Sequence, residues 1–301
     1  MTTTHVGRLA SLPGRAFIII VALLASLTVV ASAAATEHHP KGAFARFADC
    51  PLSNPEVPAC TIATTTSGEF TVGKKTVPIN KPIVLQGGLV ASENPQEASL
   101  VAAEDGNTLS KTALPVPGGL LGIVAPSFFP KWLQEIFNNF INEGFTGVTE
   151  TTELAKPAGE VKVDLENLLS ASGTALKLPV KVKLSNVFLG SECYVGSSSN
   201  PITLNLTTGT TSPPEPNKPI KGAIGTFESF EEGLVTVLSG GSLVDNSFAA
   251  PEATGCGGFL SFLIDPAVDA ELGLPAAAGH NTAVLNGSFA LAAAAAVKAS
   301  E

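Results

Sequence analysis

Six of the carboxylates in the last third of the chain are candidates for acid–base work: Glu228, Glu231, Glu232, Asp245, Asp265 and Asp269. Two of them held about 5–10 Å apart would have the makings of glycoside hydrolysis, one protonating a leaving group and the other acting as nucleophile or base. The densest group, Thr226-Phe227-Glu228-Ser229-Phe230-Glu231, reads more simply as a strand of alternating residues. Asp265 and Asp269 read as a helix-start carboxylate and an exposed one. Carbohydrate sites also lean on aromatic platforms, and the chain has one Trp and one Tyr. Histidine occurs at His5, His38, His39 and His280 alone, so a Ser–His–Asp system has few imidazoles to recruit. No Gly-x-Ser-x-Gly elbow, Ser-x-x-Lys pair, His-Glu-x-x-His or phosphate loop is present. The chain therefore reads as non-catalytic and without a cofactor, with a carboxylate-dependent extracellular hydrolase as the alternative.

Two further sets of residues could do chemistry. If a leader is cut after Ala35, the new chain starts Thr36-Glu37-His38. A free amine, two amides and an imidazole in third position can make a square-planar set for Cu(II) or Ni(II). The simpler reading is a polar leader segment with incidental histidines. Cys50, Cys60, Cys193 and Cys256 form an even set, which in an oxidising compartment means disulfides. Of three connectivities, Cys50–Cys60 with Cys193–Cys256 is expected, because the first pair brackets a short loop holding Pro51, Pro55 and Pro58. A zinc site is disfavoured by the lack of Cys-x-x-Cys spacing.

The third feature is the apolar block 114–141. It joins a Gly/Pro-rich run with Leu120, Leu121, Ile123, Phe128 and Phe129 to a helical pattern with Trp132, Phe137 and Phe140. One reading is a cover over an apolar ligand cavity. A second is a membrane-interface element, with Trp and Phe dipping into lipid. The plainest is a helix that plugs the sheets and completes the core.

The elements that would position these groups are mostly strands. Leu176, Leu178, Val180, Val182 and Leu184 alternate with Lys177, Lys181 and Lys183, the pattern of a strand with one buried face. Pro179 and the lysines suggest that it lies at an edge. Val161, Val163 and Leu165 alternate likewise, as do Ile202, Leu204 and Leu206. Residues 69–79 read as a hairpin turning at Gly73-Lys74. Further strands are expected at 83–86, 99–103, 234–238, 258–264 and 282–291. A helix is expected at 130–143, with Pro130 in its first turn and Gly144 as its cap, and a shorter one at 267–272. The stretch 207–219, TTGTTSPPEPNKP, reads as a linker or long loop and a possible division of the chain. The tail beyond Leu291 reads as a strand end and a loose terminus.

Destination is the clearest signal. Arg8 and Arg15 precede the apolar run 16–35, which fades into Ala33-Ala34-Ala35. That is the layout of a signal peptide over residues 1–35, with a retained membrane anchor as the rival. Removing it leaves residues 36–301 and takes the net charge from −9 to −11, since Arg8 and Arg15 go with it. Nucleic acid and anionic surfaces are poor partners for such a chain. The segments Phe47-Ala48-Asp49-Cys50-Pro51, Thr76-Val77-Pro78-Ile79-Asn80-Lys81-Pro82 and Ala253-Thr254-Gly255-Cys256-Gly257-Gly258 resemble those of exported, Ala/Gly/Thr-rich proteins of high-GC Gram-positive bacteria. That resemblance implies secretion and carries no activity.

The expectation is a mainly β protein, an antiparallel two-layer sandwich or irregular barrel with one inserted amphipathic helix at about 130–143. It would act outside the cell or in its envelope, binding a partner or an apolar small molecule or lipid, or serving a purely structural role there. Membrane contact is expected only through an uncleaved leader.

Overall fold

The computed structural model describes residues 38–119, 127–142 and 146–301. Residues 1–37, with the expected signal peptide and with Thr36 and Glu37, lie outside the described residues, as do Leu120, Leu121 and Ile123. So do the side chains of Phe137 and Phe140.

Fourteen strands are present among the described residues. They are Ala59–Val72 (β1), Lys75–Pro78 (β2), Ile83–Ala91 (β3), Ala98–Ala102 (β4), Ala113–Pro115 (β5), Thr149–Leu154 (β6) and Lys162–Val163 (β7). Leu176–Ser185 (β8), Tyr194–Val195 (β9), Ile202–Leu206 (β10), Thr226–Phe230 (β11), Val235–Asp245 (β12), Ala253–Thr254 (β13) and Thr282–Ala293 (β14) follow. The helices are Lys131–Asn142 (α1), Leu165–Ser170 (α2), Ser261–Leu272 (α3) and Ala294–Ala299 (α4). The strands pair antiparallel along the path β11-β12-β14-β1-β3-β4-β7-β8-β6-β5, which does not close on itself. The mainly β, antiparallel expectation holds.

An open sheet this long must fold over to bury its apolar face. Phe70, Leu85 and Leu89 from one half meet Leu178, Val180, Val182 and Leu204 from the other in a single core. The fold is helped by two bulges. The register slips between Thr65 and Ser67 in β1 and between Ser239 and Gly241 in β12, both opposite Gly287 of β14. A Cβ on Gly287 would stand 1.9 Å from the Thr64 oxygen, so only glycine permits this approach. Each bulge adds a residue and reverses the alternation. Ala59 and Ala63 face the core before the bulge in β1, and Phe70 and Val72 face it afterwards.

The outer face of β1, β12 and β14 is covered as well. Phe44, Phe47 and Leu52, from the 3-10 turn Gly42–Phe47 and the loop after it, pack there with Val297 of α4 against Val235, Val237 and Ala292. The tail expected to be loose is therefore a short helix with Ala294 and Val297 buried. Its apolar Ala/Val face gains more from burial than a free end would.

Several strand expectations hold: the 69–79 hairpin, β3, β4, β8, β10, β12 and β14. The edge position of β8 does not. It pairs with β6, β7, β9 and β10. Pro179 is tolerated because its carbonyl accepts from Ala155 N just past the end of β6. Its nitrogen, with no proton to give, points to that same side, where β6 has already ended at Leu154. The strand expected at 258–264 is instead a 3-10 turn leading into α3, which runs from Ser261 rather than Ala267 and contains Pro266.

The described residues between 38 and 301 fall in one compact unit, and the 207–219 stretch runs through it with Thr207, Thr208 and Thr211 buried. Three asparagines hold this region. Asn217 Nδ2 donates to the carbonyls of Asn246 and Asn281, and Asn246 Nδ2 donates to that of Lys218. Fully buried Asn281 accepts from Gly73 N at 2.9 Å and donates to the Phe248 and Ala277 carbonyls. Polar residues that look like a linker are thus the loop's own cement. Asn281→Ala strands the Gly73 amide and is expected to cost about 2–3 kcal/mol, read from urea unfolding with disulfides intact. A loss below about 0.5 kcal/mol would contradict the role.

Candidate functional site

The described structure divides the six carboxylates of the hydrolase alternative among the β11–β12 hairpin, the far end of β12 and α3. Glu228 stands opposite Val237 and is exposed, bonded to Ser239 Oγ at 2.7 Å. Glu231 accepts from Ala43 N and is exposed with Glu232. Asp245 lies eight residues farther along β12 than Val237, roughly 26 Å away at strand rise, and is buried. Burial pushes its carboxyl up, opposed by the amides of Asn205 and Ser247. Asp245 thus ties β12 to β10 through the Asn205 amide.

Asp265 and Asp269 also depart from expectation. Neither is a helix-start or idle surface group; both sit inside α3 and accept from backbone. Asp265 takes Cys256 N at 2.7 Å and Gly255 N at 3.2 Å, and Asp269 takes Ala253 N at 2.7 Å. They serve as pairing partners for the open side of β13. The expected disulfides Cys50–Cys60 and Cys193–Cys256 are both formed. The second joins the β8–β9 turn region to the start of the α3 excursion. Together with the bond from Gly257 N to the Leu189 carbonyl, it pins the N-terminal end of α3. The other end is held by the β1–β2 turn. Lys74 N and Nζ donate to the Leu272 and Ala270 carbonyls, as a cation at a helix C-terminus does. Lys75 pairs with Glu271 at 2.7 Å. Gly73 is required here, since a Cβ on it would lie 2.2 Å from the Leu272 oxygen.

So anchored, α3 roofs an open cleft of about 280 Å³. Val116, Gly119, Val148, Leu184, Phe188 and Leu189 form its floor and sides. Ile264, Ala267, Val268 and Leu272 of α3 face them, and the Lys75–Glu271 pair stands at the rim. Inward lies a smaller space of about 30 Å³ that shares Lys75, Val116, Leu184 and Leu272 with the cleft. Beyond it, a core cavity of about 70 Å³ shares Phe70 and Glu150 with that inner space.

Glu150 is the unusual group. It is 3% exposed among apolar side chains, opposite Leu114 and Leu184 in the sheet. Its Oε2 is buried with no hydrogen-bond partner. Burial raises its carboxyl from 4.5 to about 7. Sequence reasoning passed over it, because Thr149-Glu150-Thr151-Thr152-Glu153 shows no apolar stripe. The one available signal was the β-branched threonines.

The apolar block contributes Val116 and Gly119 to the cleft, and several of its described large side chains face outward. Trp132 is 62% exposed and Phe128 81%, with Ile136 exposed too. Phe128 meets Phe129 edge-on at 5.0 Å. His38 is wedged between two carboxylates, Nε2 at 3.2 Å from Glu104 and Nδ1 at 2.5 Å from Glu301. No group of three or more His, Cys, Asp or Glu able to hold a metal occurs among the described residues. No helix among them is long and apolar enough to cross a membrane. Comparison with protein-family models, curated proteins and solved structures finds no match, so the geometry alone carries the functional reading.

A carboxyl that keeps its proton to higher pH when folded than when unfolded costs nothing below about pH 4.5. Stability then falls as pH rises from 4.5 to about 7, by roughly 3 kcal/mol in total. Glu150→Gln removes this slope. Relative to wild type, its stability should improve by about 2–3 kcal/mol between pH 5 and pH 8, read from urea midpoints. A difference independent of pH would contradict the burial of an ionisable carboxyl.

Proposed function

We propose that this is an exported, non-catalytic protein that holds an apolar small molecule in the cleft beneath α3. The observation that carries the reading is the cleft itself: apolar walls on two opposed elements, reached from outside and backed by further space in the core. Small-molecule sites are commonly of this kind, mostly apolar with few polar groups. The roof is fixed at both ends by a disulfide, backbone bonds and an ion pair, which preserves the opening instead of letting it collapse. Two disulfides favour an oxidising, extracytoplasmic setting, and the leader-like residues 1–35 agree with it. Decanol is expected to bind saturably at one site per chain in calorimetry. Ala267→Trp, on the exposed cleft side of α3, fills the opening and should weaken that binding about tenfold or more. Absence of saturable binding to wild type would refute the reading.

A second reading is favoured by the rim. Phe188, Phe259 and Phe262 are 58%, 90% and 71% exposed, on the turn after β8, the 3-10 turn and the start of α3, segments joined by the Gly257–Leu189 bond. Exposed apolar surface of this kind marks interaction sites. Contact with an uncharged lipid surface of the envelope fits, since the chain is acidic. Replacing Phe259 and Phe262 together by Ser should reduce co-sedimentation with phosphatidylcholine vesicles several-fold while decanol binding stays unchanged. Equal sedimentation of variant and wild type would remove this reading.

A further inference from the structure

We propose that Glu150 is the head-group anchor of the cleft, and that the ligand is an amphiphile ending in a hydrogen-bond donor, an amine or an alcohol. The inference rests on the cleft reading above and names the chemistry of its occupant.

Three observations converge. The first is an unmet acceptor: Oε2 of Glu150 is buried without a partner, a condition costly enough that native proteins seldom leave it. The second is position. Glu150 lines both the inner space and the core cavity, and the inner space shares Val116, Leu184 and Leu272 with the cleft. A molecule lying in the cleft with its end past those three residues meets the carboxyl. The third is size. The inner space, about 30 Å³, suits a group no larger than one or two waters, whereas the cleft holds about 280 Å³. A hydroxyl or ammonium fits the first and an apolar body the second.

The rest of the lining gives the head group nothing else to bond. Around the inner space stand Val72, Val77, Val182 and Val195. The other charged side chain there, Lys75, is paired with Glu271. A carboxylate head would confront Glu150 with like charge, so fatty acids are disfavoured in this orientation. An alcohol can donate to the carboxyl in either protonation state, and an ammonium pairs with the ionised form. A buried carboxyl titrating near neutrality accommodates both.

The test is a matched series titrated by calorimetry into the full chain: decylamine, decanol and decyl methyl ether, which lacks a donor. Both donors are expected to bind at least tenfold tighter than the ether, the usual scale for a hydrogen bond to a charged or buried group. Glu150→Leu, which removes an unpaired buried acid and so should fold at least as well, brings both donors down to the ether's affinity and leaves the ether unchanged. Glu150→Gln separates the two sources. It loses about tenfold for an amine held by charge and little for an alcohol. Equal binding of all three by wild type, or a donor preference that survives Glu150→Leu, overturns the anchor while leaving the apolar cleft standing. If none of the three binds, the cleft reading falls with it.

Discussion

The row of alternating side chains on β8 is the constraint from which the interior follows. Leu176, Leu178, Val180, Val182 and Leu184 are all buried on one face, and a one-residue slip of any partner would turn that partner inside out. β6 is paired so that Leu154, Thr152 and Glu150 stand opposite Val180, Val182 and Leu184. The same register that brings Leu154 inward must therefore bring Glu150 inward. A carboxyl is driven into an apolar interior by strand pairing, against its own solvation preference. The cost is tolerated because hydrophobic burial over the surrounding core is far larger than one unmet acceptor.

The other half of the sheet obeys a different constraint. Strands β1, β12 and β14 have both faces covered, one by the main core and one by the 3-10 turn near the start of the described chain and by α4. Small residues dominate there because two layers must approach closely. The paired bulges opposite Gly287 let one strand serve both faces in turn. The asparagine network then locks the irregular 207–219 stretch to this half, using side-chain amides where no ladder is available.

These features explain what could be read in the residues beforehand. β8 and β10, with one buried face each, announce themselves by strict alternation. The long strand β1 does not, because Thr and Ala give it little hydrophobic contrast and the bulge near Thr66 breaks its period. The β8 edge assignment followed from Pro179, and it fails because one missing N–H can be hidden beyond the end of a neighbouring strand. Asp265 read as a helix-start carboxylate and Asp269 as an exposed one, because no sequence pattern announces that their partners are the backbone amides of Ala253, Gly255 and Cys256. The disulfide pairing was accessible from spacing. The cleft was partly so: Val116 and Gly119 belong to the apolar block singled out, while its roof, α3, read as a strand over its first turn and as a helix only from Ala267 onward. Glu150 had no signature beyond the β-branched threonines beside it, since its meaning comes only from the register of β6 on β8.

α3 and Glu150 mark opposite ends of one design. The helix is fastened by covalent, ionic and backbone links that do not depend on filling the space beneath it. The carboxyl waits at the inner end of that space. The most direct measurement is the ¹³C chemical shift of the Glu150 carboxyl followed against pH by NMR, in free protein and with decylamine bound. A midpoint near 7 in the free protein, moving lower when the amine is present, is the expected result. A midpoint in the ordinary carboxylate range that ignores the amine would contradict both the isolation of this group and its role.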